Sequence, residues 1–241
     1  MMSELSLPDF SRRVESAALE PQMLAPQLHR IAADAMQNNL AAVWVAPVWL
    51  SRVVPMVRGS GVRVIASVGF PHGTSKATVK AIEASSALKD GADEVRITCH
   101  LPHLINMDLA AAKHELMEIV RAARAVRREA IITAIIESAV LLQLGGARAE
   151  DAIAGACRAV RESGCDGIVS SSGFHPAGGA TAEAIGVMCR HRGELGVIAA
   201  GGINDTPVAL ALLNAGAEAI AVSDPVRLLE ELRLPGDVER T

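Results

Sequence analysis

Hydrophobic and polar positions alternate along this chain in one repeated unit. A short, near-continuous apolar run ends in glycine or polar residues, and a longer segment follows whose apolar positions recur every three or four residues. The runs fall at 14–19, 40–46, 62–68, 93–99 and 131–136, from Asp166, at 196–200 and at 219–222, and each predicts a strand. The run 62–68 is the plainest, being β-branched and nearly continuous. The run 93–99 carries an unusual number of polar groups for a strand.

The intervening spacing predicts helices. Leu24, Leu28, Ile31 and Ala35 set a helix over 22–39, stopped by Asn38-Asn39, and a short helix covers 48–58 before Gly59-Ser60-Gly61. Thr74 or Ser75 caps a helix that runs to Asp90 and stops at Gly91. Asp108 opens a long helix with Leu109, Ala112, Leu116, Ile119, Ala123 and Val126 on one face and dense Arg and Glu on the other. A helix over 149–163 stops at Gly164, and another separates the sixth and seventh strands. Thr206-Pro207 reads as an N-cap with proline at the first helical position, in a helix ended by Gly216; a short last helix follows Pro225. The tail after Leu234 reads as frayed.

Eight such units, with no linker and no break in composition, predict a parallel sheet covered by helices. Eight in a row favour a single-domain α/β fold, a closed (β/α)8 TIM barrel with its core at about 14–230, over an open doubly wound sheet. Neither glycine stretch fits a dinucleotide fingerprint or a P-loop, so no cofactor is expected. In such a barrel the ligand lies at the C-terminal ends of the strands. Those ends carry Trp44, His72, Arg96, Thr98, Cys99, His100, Glu137, Ser170, Ser171, Ser172, His175, Gly201, Gly202, Ser223 and Asp224.

Composition narrows the partners. The 241 residues include no Tyr, three Phe and two Trp, too few aromatics for a base-stacking nucleic-acid binder. A net charge of −4 and a pI near 6.0 also argue against a polyanion partner. The four cysteines, Cys99, Cys157, Cys165 and Cys189, have no framework spacing and read as reduced thiols of a cytoplasmic protein. No charged-then-apolar leader and no membrane-length apolar run is visible, so neither secretion nor bilayer insertion is expected.

Within this frame stand Gly69-Phe70-Pro71-His72-Gly73, then Lys80 and Glu83, then Asp90-Gly91-Ala92-Asp93-Glu94-Val95. Ile135-Ile136-Glu137-Ser138 follows, then Ser170-Ser171-Ser172-Gly173-Phe174 with Gly179-Ala180-Thr181, and Ala200-Gly201-Gly202-Ile203. In order and spacing, over roughly residues 14–230, these resemble the deoxyribose-phosphate aldolase family. The resemblance implies a (β/α)8 class I aldolase, in which a Schiff-base lysine joins acetaldehyde to glyceraldehyde 3-phosphate or reverses that reaction. It also implies a homo-oligomer.

The resemblance breaks at the chemistry. The place of the imine lysine on the sixth strand is Val169, and that of the second lysine, before Gly201-Gly202, is Ile198. The fourth strand's proton-transfer aspartate is Arg96, a fifth-strand lysine is Thr133, the opening Asp-His-Thr is Glu15-Ser16-Ala17, and the second strand's cysteine is Trp44. Neither Val nor Ile can form an imine. Lys76, Lys80, Lys89 and Lys113 lie on predicted helices or helix starts, and of these Lys76 alone stands near the mouth. Gly173, Gly201, Gly202 and Ser223 match the positions where the family holds phosphate. Asp224 adds a carboxylate there that repels phosphate unless it turns away.

Each candidate has a functional and a structural reading. An inward Arg96 needs an anion: Glu137 in an ion pair, or a substrate carboxylate or phosphate. His72 and His175 are acid–base groups or solvated loop residues. Cys99-His100-x-x-His103 invites a metal, but Pro102 disturbs the register that would align the imidazoles, and no metal is expected. Ser170, Ser171 and Ser172 are oxyanion donors or relics of ancestral backbone geometry. Trp44 stacks on a flat ligand or fills the space the lysines left.

The sequence thus leads to a repurposed lyase-like enzyme acting on a small phosphorylated or carboxylated carbonyl or sugar-type substrate. Arg96 would clamp the anion and Glu137 would carry the proton. His72, Ser171 and His175 would assist. Trp44, Ser170, Ser172, Gly173, Gly201, Gly202 and Ser223 would bind. The alternative is a catalytically inactive homologue that binds a ligand or a partner.

Overall fold

Each strand presents alternate residues to two different apolar layers, and this alternation closes the sheet. In a computed structural model describing residues 6–233, eight parallel strands pair in sequence order, β1 to β8, and β8 pairs back to β1. The strands are β1 (Val14–Ala18), β2 (Ala42–Val45), β3 (Arg63–Val68), β4 (Glu94–Thr98), β5 (Ile131–Ile135), β6 (Gly167–Val169), β7 (Gly196–Ala200) and β8 (Ala219–Val222). Val43, Val64, Ala66, Val95, Ile132, Ile168, Val197 and Ile220 pack outward against the helices. Ala42, Trp44, Ile65, Ile135, Val169, Ile198, Ala200 and Ala221 form a second cluster inside the barrel. Strands buried on both faces are why the sequence showed apolar runs rather than apolar–polar alternation.

The helices are α1 (Leu7–Ser11), α2 (Ala25–Gln37), α3 (Leu50–Val57), α4 (Ala77–Lys89), α5 (Leu101–Ile105), α6 (Leu109–Val126), α7 (Ser138–Leu142), α8 (Gly146–Glu162), α9 (Ala182–His191), α10 (Thr206–Asn214) and α11 (Pro225–Arg233). The single-turn helices α1, α5 and α7 carry too few residues to show a period, and the sequence pattern did not separate them. Asp108 caps α6 as expected, its carboxylate accepting from the Ala111 N–H.

Two caps differ from expectation. Lys76, not Thr74 or Ser75, precedes α4 and supplies no side-chain cap. Asp205, not Thr206, caps α10 by accepting from the Val208 N–H at 2.8 Å. The Thr206 hydroxyl instead donates toward Leu228 O and Glu231, tying α10 to α11. The tail after Leu234 lies outside the described residues. Among the described residues no helix is long and apolar enough to cross a membrane.

The inner wall also holds charge at its lower end. Glu15, Arg63, Glu94, Arg96 and Thr133 meet there, below the inner apolar cluster, and Arg63 alone of these is part-exposed. The strand ends above that cluster form the mouth.

Candidate active site

Arg96 is fully buried, and each of its nitrogens has an acceptor. Nη1 donates to Glu15 at 2.9 Å, Nη2 donates to Glu94 at 2.7 Å, and Nε donates to Glu94 and Thr133, both at 3.2 Å. Burial opposes the guanidinium's charge. The Glu15 and Glu94 carboxylates more than offset that penalty and hold its pKa above the ordinary value. Glu137 is not its partner, so the expected Arg96–Glu137 pair is corrected to a Glu15–Arg96–Glu94 pair of bridges. The expected anion clamp is corrected with it, because the guanidinium sits beneath Trp44 with its donors already taken. Sequence reading missed Glu15, Glu94 and Thr133 as one unit. The signal was there: a strand gaining an arginine while its neighbours carry two carboxylates and a threonine.

The mouth holds a cleft of about 150 Å³, below the usual range for organic ligands and therefore suited to a small one. Trp44, Ser172, Gly173, Gly201, Gly202 and Ser223 line it, joined by Glu20, Phe174 and Asn204, which sequence reading did not single out. Gly173, Gly201 and Gly202 have φ of 83°, 87° and 71°, the left-handed region. Their backbones stack so closely that a Cβ on Gly201 would stand 2.8 Å from Gly173 Cα. Among the described residues none of these three N–H groups donates a hydrogen bond. Successive free N–H groups in such turns form a concave cradle for an anionic oxygen.

No Lys, Arg or His lines this cleft among the described residues, and Glu20 does. Asp224 is exposed and accepts from the Arg227 N–H at 3.2 Å, so its carboxylate occupies the N-terminus of α11.

The three serines part company. Ser170 Oγ donates to Ala200 O and accepts from Ala200 N–H, a clasp between β6 and β7 that leaves it no ligand role. Its place as a substrate-binding donor is therefore corrected. Ser171 Oγ is buried without a partner. Ser172 Oγ accepts from the Phe174 N–H and keeps its own proton to give.

Glu137 stands directly behind Ser172. Its Oε1 accepts from the Ser172 N–H at 2.9 Å, while Oε2 is buried with no partner. Burial pushes its pKa up; the Ser172 hydrogen bonds and the neighbouring His175 and His72 oppose that shift without reversing it. Its backbone is left-handed, φ 51° and ψ 56°, a conformation that costs a non-glycine residue about 1–3 kcal/mol and clusters at functional sites. His175 Nδ1 accepts from the Ala177 N–H, which leaves the neutral ring's proton on Nε2. His72 is exposed on the loop between β3 and α4.

Above the buried arginine, Trp44, Phe70 and Phe174 stack edge to face, with centroids 5.5 and 5.1 Å apart. Trp44 Nε1, Ser67 Oγ, Thr98 Oγ1 and Ser138 Oγ are, like Glu137 Oε2 and Ser171 Oγ, buried without partners. A polar group left so costs about 1–3 kcal/mol.

The remaining candidates stay outside this arrangement. The Cys99 thiol is fully buried, and burial drives its pKa up. The His100 and His103 rings meet edge to face at 4.7 Å, and no three metal-type ligands converge among the described residues. Lys80 is buried, its Nζ donating to Thr98 O at 2.7 Å and to Glu115 at 2.6 Å. Lys113 pairs with Glu162, and Lys76 and Lys89 are exposed at the two ends of α4. The chain has no other lysine.

No protein-family model matches the chain. It is 36% identical over 233 residues to a deoxyribose-phosphate aldolase of Mycobacterium bovis (strain BCG / Pasteur 1173P2), covering 96% of this chain and 100% of that one. It is 34% identical over 225 residues to the deoxyribose-phosphate aldolase of Kocuria rhizophila, covering 93% and 97%. Among solved structures it resembles QR15, described as an aldolase, at 28% identity and a TM-score of 0.82, covering 93% and 96%. A deoxyribose phosphate aldolase from Aeropyrum pernix, described as having a unique tetrameric structure, matches the fold at 24% identity and a TM-score of 0.84, covering 95% and 92%.

Proposed function

The chain belongs to the deoxyribose-phosphate aldolase family and is aldolase-like, and from that premise we propose that it works without a lysine imine. It anchors the anionic end of a small phosphorylated or carboxylated carbonyl or sugar-type substrate in the Gly173–Gly201–Gly202 cradle and moves a proton with Glu137. The observation that carries this reading is a small cleft lined by three glycines whose N–H groups donate no hydrogen bond among the described residues. They present donors without a cation, which suits one anionic group held by backbone alone.

The imine route has no amine to use. All four lysines stand outside the barrel strands, and the one that is buried is held by Thr98 O and Glu115. Glu137 supplies the alternative. Burial raises the Glu137 pKa, so the carboxyl holds its proton to higher pH than a free one; the protonated form is a general acid and the ionised form the matching base. Proton transfer beside a carbonyl is the step shared by retro-aldol, isomerising and cyclising reactions. Assembly as a homo-oligomer in the cytoplasm belongs to the same proposal and rests on the family.

One observation favours a second reading, an inactive homologue that only binds. Trp44, Val169, Ile198 and Ala200 fill the barrel where the family's lysines would stand, and Arg96 is saturated from below.

The test is a thermal-shift screen against small phosphates, carboxylates and sugar phosphates with wild type, Gly202→Ala and Glu137→Gln. A ligand that stabilises the wild type and loses its effect in Gly202→Ala supports the cradle. Turnover of that ligand, abolished in Glu137→Gln, supports the enzyme; binding without turnover supports the second reading. No stabilisation by any anion overturns the cradle.

A further inference from the structure

Trp44 does more than fill space. A leucine or phenylalanine would plug the barrel interior equally well, yet this residue brings an N–H that is buried and unpartnered. The ring itself is fixed. The Arg96 guanidinium lies 4.6 Å from its centroid, held in turn by Glu15 and Glu94, and Phe70 meets the indole edge to face. A pinned indole has a pinned N–H direction, which is what a recognition group needs.

We infer that Trp44 is the specificity-determining residue of the cleft, its Nε1–H donating to a carbonyl or hydroxyl oxygen of a ligand whose anionic end occupies the glycine cradle. The inference rests on the cradle reading above and narrows it. Indole is a donor only, so the ligand atom that meets it must be an acceptor, and an ammonium or a saturated hydrocarbon end is excluded. The class selected is a short oxygenated chain with one phosphate or carboxylate.

Access runs past two aromatic side chains. Phe70 and Phe174 each follow a left-handed glycine, Gly69 at 65° and Gly173 at 83°, and Phe174 is the outer, 37% exposed member of the stack. Ligand entry turns these rings aside and gives the indole its missing partner.

The experiment uses the full chain carrying Trp49→Phe, so that Trp44 is the sole indole. Glycerol 3-phosphate and n-propyl phosphate, equal in charge and carbon number, are titrated by calorimetry and by tryptophan emission. The expected result is about tenfold tighter binding of glycerol 3-phosphate, the size of one hydrogen bond, with a change in Trp44 emission on binding. Adding Trp44→Phe keeps the aromatic bulk and should equalise the two ligands while binding of propyl phosphate persists. Equal affinities in the Trp49→Phe protein, or discrimination that survives Trp44→Phe, overturns this inference and leaves the cradle standing. Failure of both phosphates to bind overturns the cradle and this inference together.

Discussion

The Arg96 guanidinium and the Trp44 indole lie 4.6 Å apart in the middle of the barrel, a buried cation under an aromatic face. Below the pair, two carboxylates hold the charge; above it, the indole closes the floor of the cleft. This places Arg96 in the support of the site rather than in its chemistry, and sets the first expectation. Arg96→Ala leaves the buried Glu15 and Glu94 with only the part-exposed Arg63 against them, and breaking a buried pair costs up to about 3–5 kcal/mol. Arg96→Met combined with Glu15→Gln and Glu94→Gln should recover most of that loss, since neutral groups carry no desolvation penalty for charge. Urea denaturation of the two variants is the measurement. A stable single variant that has lost only ligand binding would restore the anion clamp.

Glu137 gives a pH dependence with a definite sign. Burial raises its pKa above the ordinary value of 4.5, so the folded chain binds the proton more tightly than the unfolded one. The stabilising contribution is complete below that ordinary value. It is lost as pH rises through the raised value, because the charge must then be buried. Glu137→Gln keeps an acceptor for the Ser172 N–H and removes the titration, so its stability profile should be flatter across that window. Thermal melts from acid to neutral pH decide it. Equal slopes in the two proteins would mean that the Glu137 carboxyl titrates alike in the folded and unfolded chain, with no raised pKa.

The barrel was legible in the sequence, because eight apolar runs ending in small residues leave few other architectures. The glycines that line the cleft were legible too, Gly173 beyond β6 and the Gly201-Gly202 pair beyond β7. The partners of Arg96 were not. Glu15 stands 81 residues from it in sequence and meets it only when the barrel brings β1 and β4 to a common interior layer. Glu137 lay in plain view beside Ser138. Its left-handed backbone and its bond to Ser172 depend on how β5 and β6 end relative to each other, which no local pattern encodes.

Two adjacent glycines should respond differently to alanine. A Cβ on Gly201 would stand 2.8 Å from Gly173 Cα, a backbone atom that cannot move aside, so Gly201→Ala should fold poorly. A Cβ on Gly202 has its nearest neighbour at 3.9 Å, leaving mainly the strain of a left-handed alanine, about 1–2 kcal/mol. Melting temperatures of both variants test the cradle's packing independently of any ligand.

With no amine at the strands, carbonyl ligands should leave no covalent trace. Incubation with a small aldehyde phosphate and borohydride, followed by intact mass, is expected to give the unmodified chain. An adduct mapping to Lys76, the exposed lysine between the His72 loop and α4, would reinstate an imine from a displaced position.

The last expectation concerns the anion's competitor. Asp224 already fills the N-terminus of α11, accepting from the Arg227 N–H at 3.2 Å, while the adjacent Ser223 lines the cleft. A phosphate in the cradle therefore meets a fixed negative charge on the side where helix N-termini usually help. Asn is as good an N-cap as Asp, so Asp224→Asn should leave the fold within about 0.5 kcal/mol of wild type while removing the repulsion. Inorganic phosphate should then bind several-fold more tightly. The gain should shrink as salt rises from 10 to 300 mM, values chosen to take the Debye length from roughly 30 Å to below about 8 Å. Calorimetric titration at both salt levels separates the outcomes: a gain that ignores salt would point to rearranged contacts rather than charge, and no gain would mean that Asp224 is already turned away from the bound anion.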